Sequence, residues 1–187
     1  LTELGSIKID KEDRKKMYKT IPRSSVIGFL IGVLPGAGAT IASFLAYGME
    51  RNLVNDDEKK KFGKGSVNGL SAPETANNAA CSGSFVPMLT LGIPGSGTTA
   101  VMLGALLGFG VQPGPRLYMT NPEIFWSIIM SMYIGMVILL ILNLPLIPYI
   151  ARILAVPKNY LIPLILFFSI TGIYVMSFNN FDIYLMI

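Results

Sequence analysis

"LGIPGSGTTAVMLGALLGFG", residues 91–110, places Pro94 among Gly92, Gly95 and Gly97, beside the hydroxyls of Ser96, Thr98 and Thr99. The run around it is apolar enough for hydrocarbon. Inside lipid every backbone polar group must be satisfied by the segment itself, by neighbouring protein or by water. Proline removes a donor and glycine loosens the helix, so this stretch reads as a break in a membrane helix that lines protein or a water-filled cavity.

The same break occurs earlier. "LPGAGATI" (34–41) and "IPGSGTTA" (93–100) match as apolar-Pro-Gly-small-Gly-small-Thr-apolar at an offset of 59 residues. Each is followed by a helical pattern rather than a loop, so two helix N-termini are expected to face a common cavity. Such termini expose unpaired N–H groups and the positive end of the helix dipole, and glycine permits close approach, so the expected ligand is an anion. Gly36, Gly38, Gly95 and Gly97 are the candidate backbone ligands. Thr40, Ser43, Ser96, Thr98 and Thr99 are candidate hydroxyl ligands, with back-bonding within the helix as the alternative for each. Broken helices of secondary transporters hold carboxylates and coupling cations in this way.

Composition sets the environment. Of 187 residues, 52% are hydrophobic and 14% charged, and the mean hydropathy is +0.57, which marks an integral membrane protein. Four uncharged runs, Ser24–Met49, Thr75–Pro115, Ile124–Ala151 and Asn159–Phe181, each reach the roughly 20 residues that cross a bilayer as helix. Their β-branched content does not argue for strands, because an open strand in lipid leaves its backbone unpaired. A single Cys81 excludes an internal disulfide and reads as a small buried filler; the absence of His removes most catalytic arrangements. The chain begins at Leu1 and closes on the apolar "DIYLMI", so it reads as a piece of a longer protein.

Charge placement gives topology. Twelve of the fifteen Lys and Arg lie within residues 1–64, in two flanks that bracket the first apolar run. Basic loops stay cytoplasmic, so both ends of Ser24–Met49 belong on one side. A re-entrant hairpin meets that condition: two arms of about eleven residues, each reaching roughly 16 Å, turn at "LPGAG" about halfway through the hydrocarbon. The alternative is one kinked crossing with a basic loop on the far side. Residues 1–23 then form a cytoplasmic basic segment, 24–49 the re-entrant hairpin and 50–74 a cytoplasmic connection. Residues 75–115 form a polar helix plus a discontinuous transmembrane helix, and 116–187 further transmembrane helices.

"SVNGLSAPETANNAACSGSF" (66–85) is too polar for lipid. Asn77, Asn78, Ser82 and Ser84 are expected to face protein or water. Asn77 and Asn78 are candidate substrate ligands, and Asn78 with Thr99 a candidate Na⁺ pair, with hydrogen bonding between helices as the alternative for both amides. Ser71 and Glu74 have the spacing of a capping box, with a cation-coupling or gating role as the alternative for Glu74, an acid at a membrane boundary. Other motifs lack residues: "GAGATIAS" has no Lys-Ser/Thr ending for a phosphate loop and no third glycine for a dinucleotide fingerprint. Ser96 has no His to activate it, so no enzyme activity is expected.

"GVLPGAGATIASFLAYGMER", "FGKGSVNGLSAPETANNAACSGSFVPMLTLGIPGSGTTAVMLGALL" and "GVQPGP" closely resemble the large permease subunit of the tripartite tricarboxylate transporters, the TctA-like family. The resemblance runs from about Ile21 to the end of the chain. It implies an all-α integral membrane protein, one half of an inverted-repeat-type secondary transporter. It further implies import of tricarboxylate-like substrates, a periplasmic solute-binding protein and a small membrane subunit as partners, and a multi-pass place in the bacterial inner membrane. Na⁺ or H⁺ would be the coupling ion, with no other cofactor and no nucleic-acid partner. An anion channel and a purely structural membrane subunit are the alternative functions.

Overall fold

The computed structural model describes residues 9–151 and 157–177 together with Phe181 and Tyr184, and among these there is no β-strand. The helices are α1 (Lys11–Val33), α2 (Gly38–Leu53), α3 (Asp56–Lys59), α4 (Val67–Gly83), α5 (Phe85–Leu91), α6 (Gly97–Gly108), α7 (Leu117–Thr120), α8 (Pro122–Ala151) and α9 (Lys158–Ser177). The chain divides into two compact units, one within Ser6–Met132 and the other from Tyr133 onward.

In the first unit, α1 begins well before the apolar run, because Asp10 caps Lys11 at 2.7 Å and Glu12 and Asp13 complement the dipole of the first turn. It ends where Leu34, forced into extended backbone by the following Pro35, gives way to a turn. Gly36 and Gly38 take φ of 83° and 68° there, a region that costs other residues steric strain. The chain then reverses into α2, so that α1 and α2 form an antiparallel helical hairpin.

What joins the hairpin to α4 is a core of small residues. Thr20, Ser24, Gly28 and Gly32 on α1, Ala42, Ala46 and Glu50 on α2, and Asn68, Ala72, Ala76 and Ala80 on α4 recur every fourth position and are all buried. A fourfold spacing lies close to the helical repeat, so each set forms one face. α1 and α4 run parallel, with Gly28 against Ala76 and Gly32 against Ala80. A Cβ on either glycine would lie 2.6 Å from the Cα of its partner, and one on Gly83 would strike the carbonyl of Phe29. Small residues bring helix backbones together in this way where lipid offers no hydrophobic drive.

A second cluster in the same unit is conventional: Met88, Leu89, Val111, Leu117 and Ile128 are buried, with Met102, Leu103 and Leu106 of α6 packed against them. Gly92 ends α5 in a left-handed conformation (φ 71°), with its N–H bonded to the Met88 carbonyl at 3.1 Å. The apolar stretch 85–108 is therefore two helices with a break at 92–96.

α8 contains the described helix long and apolar enough to cross a membrane, over Pro122–Ile147 with mean hydropathy 2.4; α6 and residues Asn159–Val175 are apolar but shorter. In the unit from Tyr133 onward, the described large side chains of α8 and α9 are largely exposed, among them Leu139, Ile141, Phe167 and Phe168.

The capping box expected at Ser71 and Glu74 is not formed. Ser66 caps α4, its hydroxyl accepting from the Gly69 N–H at 3.0 Å, so the helix starts earlier and carries Pro73 inside it. Ser71 is buried one turn in, and Glu74 is exposed.

Candidate functional site

The two Pro-Gly breaks meet. The Gly36 N–H donates to the Gly95 carbonyl at 3.3 Å, which ties the hairpin turn directly to the α5–α6 break. Gly95 is buried there: a Cβ on it would lie 2.9 Å from the Ser84 Cβ at the end of α4. Around this junction is an open cleft of about 470 Å³, lined by Gly36, Gly38, Ala39, Thr40, Pro94, Gly95, Ser96, Gly97 and Ala100.

Both helices that begin at the cleft are long enough to carry a useful dipole, and they begin differently. α2 has Ala37 at its N-cap and no side-chain cap, which leaves its first-turn donors to the cleft. α6 is closed by a reciprocal pair: the Ser96 N–H donates to Thr99 Oγ1 at 2.8 Å and the Thr99 N–H to Ser96 Oγ at 3.3 Å. The Gly97 and Thr98 N–H groups lie outside that pair. A Cβ on Gly97 or Gly38 would meet nothing within 4 Å, so the space in front of both backbones is open. The chemistry offered is neutral N–H donors with two positive dipole ends and no acidic side chain, which favours an anion.

Of the residues singled out from sequence, Gly36, Gly38, Thr40, Gly95, Ser96 and Gly97 line the cleft. Thr98 is exposed and does not line it, and Thr99 is 1% exposed with its hydroxyl engaged in the α6 cap. Ser43 donates to the Pro73 carbonyl at 3.1 Å and ties α2 to α4. Asn77 and Asn78 lie on the exposed side of α4, away from the cleft lining. Asn78 donates back to the Glu74 carbonyl at 2.9 Å. Cys81 is exposed on the same side rather than buried, because α4 already turns Ala76 and Ala80 toward α1.

A second polar centre was not anticipated. Glu50 is fully buried, and its Oε1 accepts from Thr20 Oγ1 at 2.7 Å, Arg23 Nη2 at 2.8 Å and Asn68 Nδ2 at 3.1 Å. These partners come from α1 and α4, so one carboxylate binds three helices. The sequence signal was the fourfold series Ala42, Ala46, Glu50, which continues a buried face through a charge. Nearby, Glu58 accepts from Ser66 at 2.9 Å and pairs with Lys16 at 3.3 Å and Lys61 at 3.5 Å. Burial pushes its carboxyl up, but the Ser66 and Lys16 hydrogen bonds and the charges of Lys16 and Lys61 outweigh this and hold it below its ordinary value. A cavity of ≈ 600 Å³ lies here, lined by Lys15, Lys16, Lys19 and Arg23 together with Glu12, Glu50 and Glu58. Two of its cations, Lys16 and Arg23, are paired with Glu58 and Glu50.

The family model described as the Tripartite tricarboxylate transporter TctA family matches residues 2–187. An uncharacterized 52.8 kDa protein in the TAR-I ttuC' 3' region of Agrobacterium vitis is 42% identical over 179 residues, covering 96% of this chain and 35% of that protein. An uncharacterized protein in the TAR-II ttuC' 3' region of the same organism is 45% identical over 160 residues, covering 86% of this chain and 65% of that protein. The chain thus spans about a third of one relative and just under two thirds of the other. No solved structure matches it.

Proposed function

Because this chain belongs to the tripartite tricarboxylate transporter TctA family, we propose that it is part of a permease that imports carboxylates by cation-coupled secondary transport. The observation that carries this reading is the convergence of two Pro-Gly breaks, joined by the Gly36–Gly95 hydrogen bond, on one cleft at the starts of α2 and α6. There the substrate carboxylate accepts from first-turn N–H groups, with Thr40 and Ser96 beside it and Gly38 and Gly97 allowing close approach. A periplasmic solute-binding protein delivers the substrate, and a small membrane subunit completes the assembly. Na⁺ or H⁺ supplies the driving force.

The α1–α2 hairpin enters and leaves the bilayer of the bacterial inner membrane from the cytoplasmic side. Contact between the two basic flanks at Lys16 and Glu58 supports this arrangement, since groups 3.3 Å apart lie on one face of a membrane. α5 and α6 act as a discontinuous helix, and α8 and α9 as scaffold within a multi-pass protein of inverted-repeat type.

Uptake of labelled mono-, di- and tricarboxylates by membrane vesicles containing the complete transport system tests the reading. Saturable uptake with trans-stimulated counterflow is expected. Uptake without trans-stimulation identifies a channel, and uptake unaffected by bulky substitutions at both turns identifies a structural subunit.

A further inference from the structure

Between Lys64 and Arg116 the chain carries one charge, Glu74. It sits in the middle of α4, exposed, and among the described residues it has no ion-pair partner. Asn77, Asn78 and Cys81 are exposed on the same helix, and Ser82 is half-buried beside them. Positions 74, 77, 78, 81 and 82 follow the i, i+3, i+4, i+7, i+8 spacing of a single helix face. Rotation of α4 cannot hide them, because its opposite face meets α1 backbone to backbone at Gly28 and Gly32.

This face is unlike the exposed surfaces of α8 and α9, which are aliphatic and aromatic. Two side-chain amides and a carboxylate on one face are strongly disfavoured against hydrocarbon, so such a face requires water or polar protein. Its chemistry is also the reverse of the cleft's. The Asn78 amide nitrogen is already used on the Glu74 carbonyl, the Ser82 hydroxyl donates to the Asn78 carbonyl at 3.4 Å, and the Cys81 thiol donates to Asn77 Oδ1 at 4.0 Å. The Asn78 side-chain oxygen and the Glu74 carboxylate are left facing outward as acceptors. Acceptor oxygens with one net negative charge suit a hydrated monovalent cation and disfavour a carboxylate.

We propose that the outer face of α4, from Glu74 through Asn77 and Asn78 to Cys81, lines a water-filled approach for the coupling cation, separate from the anion cleft. This rests on the transport reading but concerns a different surface. At its far end α4 reaches Ser84, which packs on Gly95, so the cation face and the anion cleft share one helix and one contact.

Native Cys81 serves as the probe in membranes carrying the complete transport system. It is treated with cationic and with anionic methanethiosulfonate reagents, with Na⁺ or choline as the bulk cation, and labelled-carboxylate uptake is followed in the same preparation. Both reagents should react, the cationic one faster. Two helical turns, roughly 10 Å, separate Cys81 from Glu74, and Coulomb's law in water over that distance gives a rate ratio of about fourfold before screening. Na⁺ should slow the reaction relative to choline, and Glu74→Gln should abolish both the charge preference and the Na⁺ effect. Labelling by a permeant maleimide but by neither charged reagent would mean that lipid or protein covers the face, and the proposal would fall. Equal rates for both reagents, unaffected by Na⁺, would remove the cation. Persistent uptake under either result leaves the transport reading standing, whereas absent uptake overturns the transport reading and with it the coupling role, an intact charge preference then reporting only a water-exposed, negatively charged face.

Discussion

Replacing Gly28 by Ala adds one methyl group within the close backbone seam between α1 and α4. The new Cβ would stand 2.6 Å from the Ala76 Cα, where carbon atoms pack comfortably at about 3.5–4.0 Å. The obstacle is backbone on both sides, so no rotamer change relieves it. The helices must part by about 1 Å, and the separation spreads to the Gly32–Ala80 and Gly83–Phe29 contacts. Overpacking of this kind costs about 1–3 kcal/mol, and the loss of neighbouring contacts places this substitution at the upper end. Thermal unfolding of the purified protein in detergent, followed by size-exclusion chromatography, provides the measurement. Gly48→Ala is the control: that helical glycine has nothing within 4 Å of its Cβ, and Ala there should stabilise by about 0.5–1 kcal/mol through helix propensity. Because the clash is with the backbone of residue 76 and not its methyl group, adding Ala76→Gly should fail to rescue Gly28→Ala. Rescue by that second change, or a Gly28→Ala protein as stable as wild type, would refute the backbone-contact account.

At the cleft, Gly97→Leu and Gly38→Leu should abolish carboxylate uptake in protein that still purifies, with Gly97→Ala milder; wild-type uptake by Gly97→Leu would reduce the break to a packing kink. Thr99→Val should cost about 1 kcal/mol of stability through loss of the cap, measured by thermal unfolding. The Glu58 carboxyl is held below its ordinary 4.5, so its contribution to stability is full above that value and disappears as pH falls through the lower folded value. A pH series of melting temperatures should accordingly lose part of its acid sensitivity in Glu58→Gln. With Cys81 replaced by Ser, single cysteines at Lys16 and Lys60 should both react with an impermeant thiol reagent from the cytoplasmic face alone, and labelling from opposite faces would eliminate the re-entrant hairpin.

The breaks were legible because proline and glycine act locally: Pro35 and Pro94 interrupt backbone hydrogen bonding whatever surrounds them, and the chain turns or stops where they stand. Their meeting at Gly36 and Gly95 was suggested only by the repeat, since a contact between residues so distant in sequence is decided by packing. The small-residue core was written in the fourfold series on α1, α2 and α4, but a reading guided by hydropathy passes over Gly, Ala, Ser and Thr. Glu50 was missed for a related reason. It was counted as the charge that ends an apolar run, whereas burial follows the helix face, and Ala42 and Ala46 carry that face onward to it. Ser71 misled because its spacing to Glu74 fits a cap, while the Ser66 hydroxyl had already fixed the start of α4.

The backbone-to-backbone seam between α1 and α4 also restricts how the protein can move. Sliding of packed helices depends on side chains that shift between rotamers as the surfaces pass, and Gly28, Gly32, Ala76 and Ala80 have none to shift. The seam acts as a mechanical key: α1 and α4 travel together or separate entirely. Displacement of the cleft walls must then be taken up by the non-helical segments beside the seam, the turn between α1 and α2 and the break between α5 and α6, rather than by sliding along it.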